Sequence, residues 1–439
     1  MKHRGIHGSV LVVLALAITL AAPARAEIPS ILGLKEQASV YDGWLRARLD
    51  RLLPEIMRRE KIDMWLVVCR EYNEDPAYLS LVPFQSLSAR RLTILVFFDR
   101  GEGRGVERFA VGRYGIGSLF PTVWKAERDD QWETLAAAVR ERNPKRIGID
   151  EAETFAFGDG LSAHLKSRLV EALGPAMASR LVSAERLAVG WLERRSPEEL
   201  EVYPHIVAAA HAIIAEAFST GTVTPGVTRS DDLEWWMLEK IRALGLSTWF
   251  NPSVSIQRLK DGPFGRSPVI HRGDLLHCDF GITYLKLNTD TQQMAYVLRD
   301  GEEDAPGGLK AALARGNRLQ DILLEEMKVG RTGNQVLAST LGRARAEGLK
   351  PSIYSHPLGL HGHAAGPTIG LWDRQDGVPG AGDYPLFDDT VYSIELNITT
   401  PVEEWGGQEV QIALEQDAAL TGGRVRFLDK RQTAFHLIK

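Results

Sequence analysis

Apolar positions change their rhythm several times along this chain, and each change marks an element. Met64-Trp65-Leu66-Val67-Val68 is an unbroken apolar run, and Leu92 to Phe98 is a second one rich in β-branched and aromatic residues. Both predict buried strands. The spacing over Tyr41 to Arg59, Trp132 to Arg142 and Leu161 to Leu173 predicts helices, and Ile147-Gly148-Ile149-Asp150 a short strand. Strands alternating with helices over residues 27–193 predict an α/β unit with a partly parallel sheet covered by helices. No catalytic cluster stands out within it, so its expected work is to shape the rim of a site or an oligomer contact.

At Ser196-Pro197-Glu198-Glu199 the pattern restarts with an N-cap serine, a proline at the first helical position and acids in the first turn. The helix is expected to run to about Ser219, and the second unit to cover residues 196–439. His205 and His211 on this helix have no second metal-type residue at helical spacing, so both are expected at a surface or interface rather than on a metal. A weak internal repeat follows. Gly226-Val227-Thr228 opens a helix through Leu233 and Leu238 that ends at Gly245, before a strand near Thr248. Gly330-Arg331-Thr332 opens another through Leu337 and Leu341 that ends at Gly348, before a strand near Ile353. Two related α/β halves facing each other across a cleft would produce this repetition.

Composition adds less than the termini do. The chain has 439 residues, 44% hydrophobic and 25% charged, which fits a globular protein of two domains. A net charge of −5 gives no reason to expect nucleic acid or an anionic membrane as partner. Lys2 and Arg4, the apolar run Val10 to Ala22 broken only by Thr19, and then Ala24-Arg25-Ala26 have the layout of a secretory signal peptide covering residues 1–26. The apolar run is shorter than the roughly 20 residues that span a bilayer. Export to the periplasm or outside the cell is the expectation, with no membrane attachment after cleavage. Cys69 and Cys278 fall in different units on apolar strands, which predicts two buried thiols and excludes a cysteine-rich zinc site.

The chemistry lies in the second unit. Asp279 sits in Gly273-Asp274-Leu275-Leu276-His277-Cys278-Asp279-Phe280-Gly281, a turn followed by a buried strand, and Asp290 follows eleven positions later, where a neighbouring hairpin strand should lie. A strand Asp in apolar company is costly unless a cation or donors neutralise it. Ser355 to Pro367 carries His356, His361 and His363 among glycines. Glu395 is one acid amid apolar neighbours in the strand pattern Val391 to Asn397, and Val410 to Asp417 repeats the pattern around Glu415. Asp279, Asp290, His356, Glu395 and Glu415 make a hard, anionic donor set suited to two divalent ions, Mn²⁺ first and Zn²⁺ or Co²⁺ as alternatives. Such a pair can activate water. His277, two positions before Asp279 on one strand, should share its face and line the same pocket.

This order and spacing resemble the pita-bread metallopeptidases: methionine aminopeptidase, aminopeptidase P, prolidase and their non-peptidase relative creatinase. The likeness covers residues 196–439, and the first unit resembles the N-terminal domain of the latter three in position and pattern. It implies that Asp279 binds one ion, His356 and Glu395 the other, and that Asp290 and Glu415 bridge. It further implies that a hydroxide shared by the ions attacks the substrate carbonyl, that Glu395 shuttles the proton, and that His363 hydrogen-bonds the substrate. By the same resemblance the substrate is a peptide or small amide, with proline after the scissile bond, and the protein a homodimer. The chain departs from the family pattern at three places. Asp261 and Gly262 stand where the family has a further histidine, Gln292 and Gln293 where it tends to have Thr and Arg, and Leu396-Asn397 follows Glu395 in place of Pro-Gly. His277 is the residue expected to compensate for the missing histidine as part of the catalytic set. The departures leave open a related hydrolase or lyase acting on a small non-peptide substrate, and a binding module with a decayed site.

Overall fold

The computed structural model describes residues 28–260, 268–363 and 365–439. The expected signal segment, and Asp261 and Gly262, lie outside them. The first strands are β1 (Met64–Arg70), β2 (Leu92–Asp99), β3 (Val106–Val111), β4 (Ile147–Ile149) and β5 (Leu181–Ser183). They form one sheet in the order β3-β2-β1-β4-β5, with β1, β4 and β5 parallel and β2 and β3 antiparallel additions. The unbroken apolar run of β1 is explained by burial on both faces. Met64, Leu66 and Val68 pack with Leu135, Val139, Leu165 and Leu169, while Trp65, Val67 and Cys69 pack with Leu45, Leu49, Leu53 and Trp191. The first group covers the sheet with α4 (Gln131–Arg142) and α5 (Ala163–Ala178); the second uses α1 (Leu34–Ala47), α2 (Leu53–Arg59) and α6 (Glu185–Glu193), with the single turn α3 (Tyr78–Leu81) at the edge. The helix expected from Tyr41 begins earlier, at Leu34, and widens into a π-turn at Arg48–Leu52. Pro54 just beyond cannot donate the next ladder bond, which is where a helix yields.

The second unit opens with α7 (Pro197–Ala217), whose Ser196–Glu199 capping box closes both ways. Then follow α8 (Ser230–Ala243), β6 (Ser253–Gln257), β7 (Leu275–Phe280), a tight hairpin of β8 (Thr283–Tyr284) and β9 (Leu287–Asn288), and β10 (Thr291–Val297). After α9 (Gly307–Glu326) and α10 (Gly333–Ala346) come β11 (Pro351–Ile353), β12 (His356–Leu358), β13 (Thr390–Ser393), β14 (Leu396–Val402), β15 (Gln408–Leu414), β16 (Asp417–Thr421), β17 (Arg424–Phe427) and β18 (His436–Ile438). Three larger sheets result: β18-β10-β7-β6, β11-β14-β15 and β12-β13-β16-β17.

The internal repeat is real at the level of backbone conformation. Gly226 and Gly330 precede α8 and α10 with φ of 82° and 85°, and Gly245 and Gly348 follow them with φ of 72° and 71°. Leu246 N–H donates to the Ile241 carbonyl and Leu349 N–H to that of Ala344, so the two helices end in the same Schellman turn. The strand expected near Thr248 starts later, at Ser253. The Thr248 hydroxyl instead donates to the carbonyls of Phe250 and Gly281 and holds a bend that carries Trp249. His205 is half-buried against the Ser30 carbonyl, but His211 is buried, not at a surface; its Nδ1 lies 2.7 Å from Asp429 Oδ2. Both cysteines are buried free thiols. Among the described residues no helix is long and apolar enough to cross a membrane.

Candidate metal centre

Two of the C-terminal sheets meet along a seam, and the acids sit on it. Strand β14 pairs Leu396 with Ile353 of β11 and Leu414 of β15, while β13 pairs Ser393 with His356 of β12 and Asp417 of β16. The chain therefore changes sheets three times between these rows, at residues 354–355, 394–395 and 415–416. Glu395 and Glu415 lie at these crossings rather than in mid-strand, as their apolar surroundings had suggested. Where the ladder is interrupted, backbone groups find other partners: Tyr354 N–H donates to the Glu395 carbonyl, Ile394 N–H to that of Gln416, and Glu395 N–H to Ser355 Oγ. Asp279 comes from β7, and Asp290 stands just before β10, whose Gln292 exchanges two backbone bonds with Glu415.

All five residues expected to hold metal converge. Asp279, Asp290 and Glu415 offer ligand atoms within 4.8 Å of one another, as do His356, Glu395 and Glu415, and as do Asp290, His356 and His363. Glu415, Asp290 and His356 each belong to two of these groups. His356 Nε2 lies 3.6 Å from Asp290 Oδ2 and 4.0 Å from both Glu395 Oε2 and Glu415 Oε1. Its Nδ1 lies 3.0 Å from the Pro357 carbonyl, which fixes the proton there and leaves the Nε2 lone pair facing the acids.

The electrostatics of this cluster suit a cation. Burial, then the neighbouring Glu415, holds the Asp290 carboxyl well above the usual range, and Glu395 is raised by the same two causes. Burial, with Asp279 beside it, pushes Glu415 up to about 8, and burial brings Asp279 to about 6. Among the described residues the one basic side chain paired with these acids is His356, and burial pushes its pKa down to about 3, so it is neutral. Asp279 Oδ1, Glu415 Oε2 and His356 Nε2 are buried without a hydrogen-bond partner. Unmatched buried atoms on two of the four acids and on the imidazole are what divalent ions satisfy, and two such ions would balance the four acids charge for charge. The residues fit such a centre.

Other groups, which the sequence pattern did not single out for these roles, hold the acids in place. Ser393 Oγ donates to Glu415 Oε1, and Asp290 N–H donates to Asp417 Oδ1 at 3.2 Å. Gln292 Nε2 donates to Glu395 Oε1 at 2.6 Å, while its Oε1 lies 2.9 Å from His277 Nε2. His277 is thus linked to the centre through Gln292 and is not one of the six clustered side chains. Gln293 points elsewhere, to His436 Nε2 at 2.7 Å. His363 is exposed at the mouth, edge-on to His356 at 4.8 Å between ring centroids. His361 turns away from the acids, stacked on Phe157 at 4.2 Å. The signal for the supporting residues was faint: Asp417 and Ser393 share a register row with His356, which only pairing reveals.

Comparison with known proteins agrees with this geometry. Solved structures with the same fold include an X-Pro aminopeptidase from Thermotoga maritima (17% identity, 87% of this chain and 99% of that one, TM-score 0.62). An Xaa-Pro dipeptidase from Bacillus anthracis (16%, 93% and 100%, 0.58) and a prolidase from Pyrococcus furiosus (15%, 86% and 99%, 0.54) are also similar. At these identities the likeness is one of fold. No curated protein matches the chain. Residues 205–425 match metallopeptidase family M24, a span that takes in every residue of the cluster, and the chain belongs to that family.

Proposed function

We propose that this protein is an exported two-metal peptidase that releases the N-terminal residue of peptides or dipeptides with proline in second place. The observation that carries the reading is the convergence of four mutually repelling acids, three buried and one half-buried, on an imidazole with a free lone pair. Asp279 would serve one ion, His356 and Glu395 the other, with Asp290 and Glu415 shared, a division taken from the family resemblance and compatible with the grouping of these side chains. When bound, a pair of divalent ions activates water and polarises a carbonyl. The chain's own residues then divide the remaining work. Glu395, with Oε1 held by Gln292, keeps one oxygen directed into the centre and carries the proton to the leaving nitrogen. His363, exposed at the mouth, hydrogen-bonds the substrate carbonyl. His277 acts through Gln292 as a positioning residue.

Export rests on the signal-type pattern of residues 1–26, and N-terminal sequencing of protein recovered from the periplasm or medium should begin at Glu27. A homodimer is part of the same reading, checked by light scattering. The decisive experiment is metal analysis of purified protein together with a panel of Xaa-Pro dipeptides, longer peptides and small amides assayed with added Mn²⁺. Cleavage confined to Xaa-Pro bonds supports the proposal; bound metal with turnover of small amides alone replaces it. That second reading is favoured by Gln292, which ties up Glu395 where the family tends to have Thr.

A further inference from the structure

Beside the acids stands a row of rings of which the metal chemistry uses only the two imidazoles, His356 and His363. Trp249 anchors its inner end: Nε1 donates to the Thr289 carbonyl at 2.9 Å, and the ring lies so close to Gly362 that a Cβ there would fall 2.3 Å from it. Trp249 meets Phe250 at 4.5 Å between centroids and His363 at 4.8 Å. His363 in turn lies 5.9 Å from Tyr354, which lies 5.2 Å from His356 and 5.9 Å from Trp372. Tyr354 is half-buried, and Trp372 at the outer end is 45% exposed. The row therefore runs from the metal-type imidazole out to solvent, with edge-on contacts at Trp249–His363 and Tyr354–Trp372 and tilted contacts about Tyr354 between the two imidazoles. Large apolar side chains kept open beside a polar centre mark a place where a ligand supplies the missing packing.

We propose that the face formed by Trp249, His363, Tyr354 and Trp372 is the subsite for an aromatic side chain on the substrate residue that precedes the scissile bond. This rests on the peptidase reading, in which proline occupies the next position and the preceding side chain is the variable one. Ring centroids 4.8 to 5.9 Å apart, edge-on at Trp249–His363 and Tyr354–Trp372 and tilted at His363–Tyr354, give a substrate ring edges and faces to pack against. An aliphatic or methyl side chain gains only the area term.

The test is calorimetric binding of phenylalanine amide and alanine amide to the Mn²⁺-loaded protein, which needs no turnover. Phenylalanine amide should bind the wild-type protein about fivefold to tenfold tighter. In Tyr354→Leu and in Trp372→Ala this preference should fall to about twofold or less, with alanine amide binding unchanged. Tyr354→Phe, which keeps the ring, should keep the preference. Melting temperatures confirm that each variant is folded. Equal binding of the two amides by wild type, or a preference that survives both Tyr354→Leu and Trp372→Ala, overturns the proposal. Because the readout is binding, failure of Xaa-Pro cleavage would count against the peptidase reading without deciding this one.

Discussion

Single contacts decide how this centre is tuned. Glu395 is held by Gln292, and Gln292 by His277, so the imidazole influences the metal site through one amide. Outer partners of this kind are typically worth about tenfold to a hundredfold in metal affinity. His277→Ala should therefore weaken Mn²⁺ binding by about tenfold, and Gln292→Leu by a similar factor. The double variant should be little worse than either alone, because both substitutions break the same chain; additive losses measured by metal titration would show that His277 acts by another route. The acids make a second, opposite-sign prediction. Glu415 is raised to about 8 by burial and by Asp279, so in metal-free protein near pH 7 it is a source of strain, whereas in loaded protein it would be a ligand under the proposed function. Glu415→Gln should accordingly melt higher than wild type after chelation and lower than wild type with Mn²⁺ present. If the two melting curves do not change order on metal addition, the cluster does not hold the ions through Glu415.

Elements show where local chemistry is enough and where it is not. The start of α7 was readable because a capping box needs only four consecutive residues, and Ser196 and Glu199 close it as their types require. The other role of Glu199 was not readable. Its carboxylate meets Arg48 Nη1 at 2.7 Å and Arg195 Nη1 at 3.3 Å, all three side chains being buried, and Arg48 comes from the π-turn of the first unit. Glu199→Gln leaves two buried guanidiniums without their counter-charge and should cost about 3–5 kcal/mol in denaturant unfolding, far more than loss of a cap alone. The same division runs through the site. Asp279, Asp290, His356, His363, Glu395 and Glu415 were legible from their order and apolar surroundings. The seam was not, since an acid at a sheet crossing and an acid in mid-strand have the same neighbours in sequence. Tyr354, Ser393 and Asp417 were missed for that reason: their significance comes from register across strands that are far apart in the chain. The bend at Trp249 was misread as strand because its cause, the Thr248 hydroxyl bonding to Gly281, is also a contact between distant segments.

At the scale of the whole molecule the first unit grips the second close to the site. The β8–β9 hairpin reaches across with Lys286, whose Nζ donates to the Leu79 carbonyl at 3.1 Å and lies 4.5 Å from the Tyr41 ring centroid. The more consequential grip is on the loop that carries His363. Two residues before it, His361 is stacked on Phe157 and its Nε2 lies 3.3 Å from the Pro76 carbonyl, both partners belonging to the first unit. On its other side the same loop is pinned where Gly362 lies against Trp249. His356, Glu395, Glu415, Asp279 and Asp290 need none of this, because β-strands of the second unit and their connections position them. The two sets of side chains are thus supported separately: the metal-type acids and His356 by the second unit, the exposed His363 by both. Phe157→Ala removes the stack without touching any metal-type residue, so bound metal per chain and Mn²⁺ affinity should stay at wild-type values. Freed on one side, His363 shifts relative to the acids, and displacements of about 1 Å can cost about a hundredfold in rate. A fall of about tenfold in kcat/KM is expected on that scale, largest for substrates whose carbonyl must reach His363. Unchanged kcat/KM with intact metal would mean that the loop holds its place without the first unit, and a loss of metal would mean that the two kinds of support are not separate.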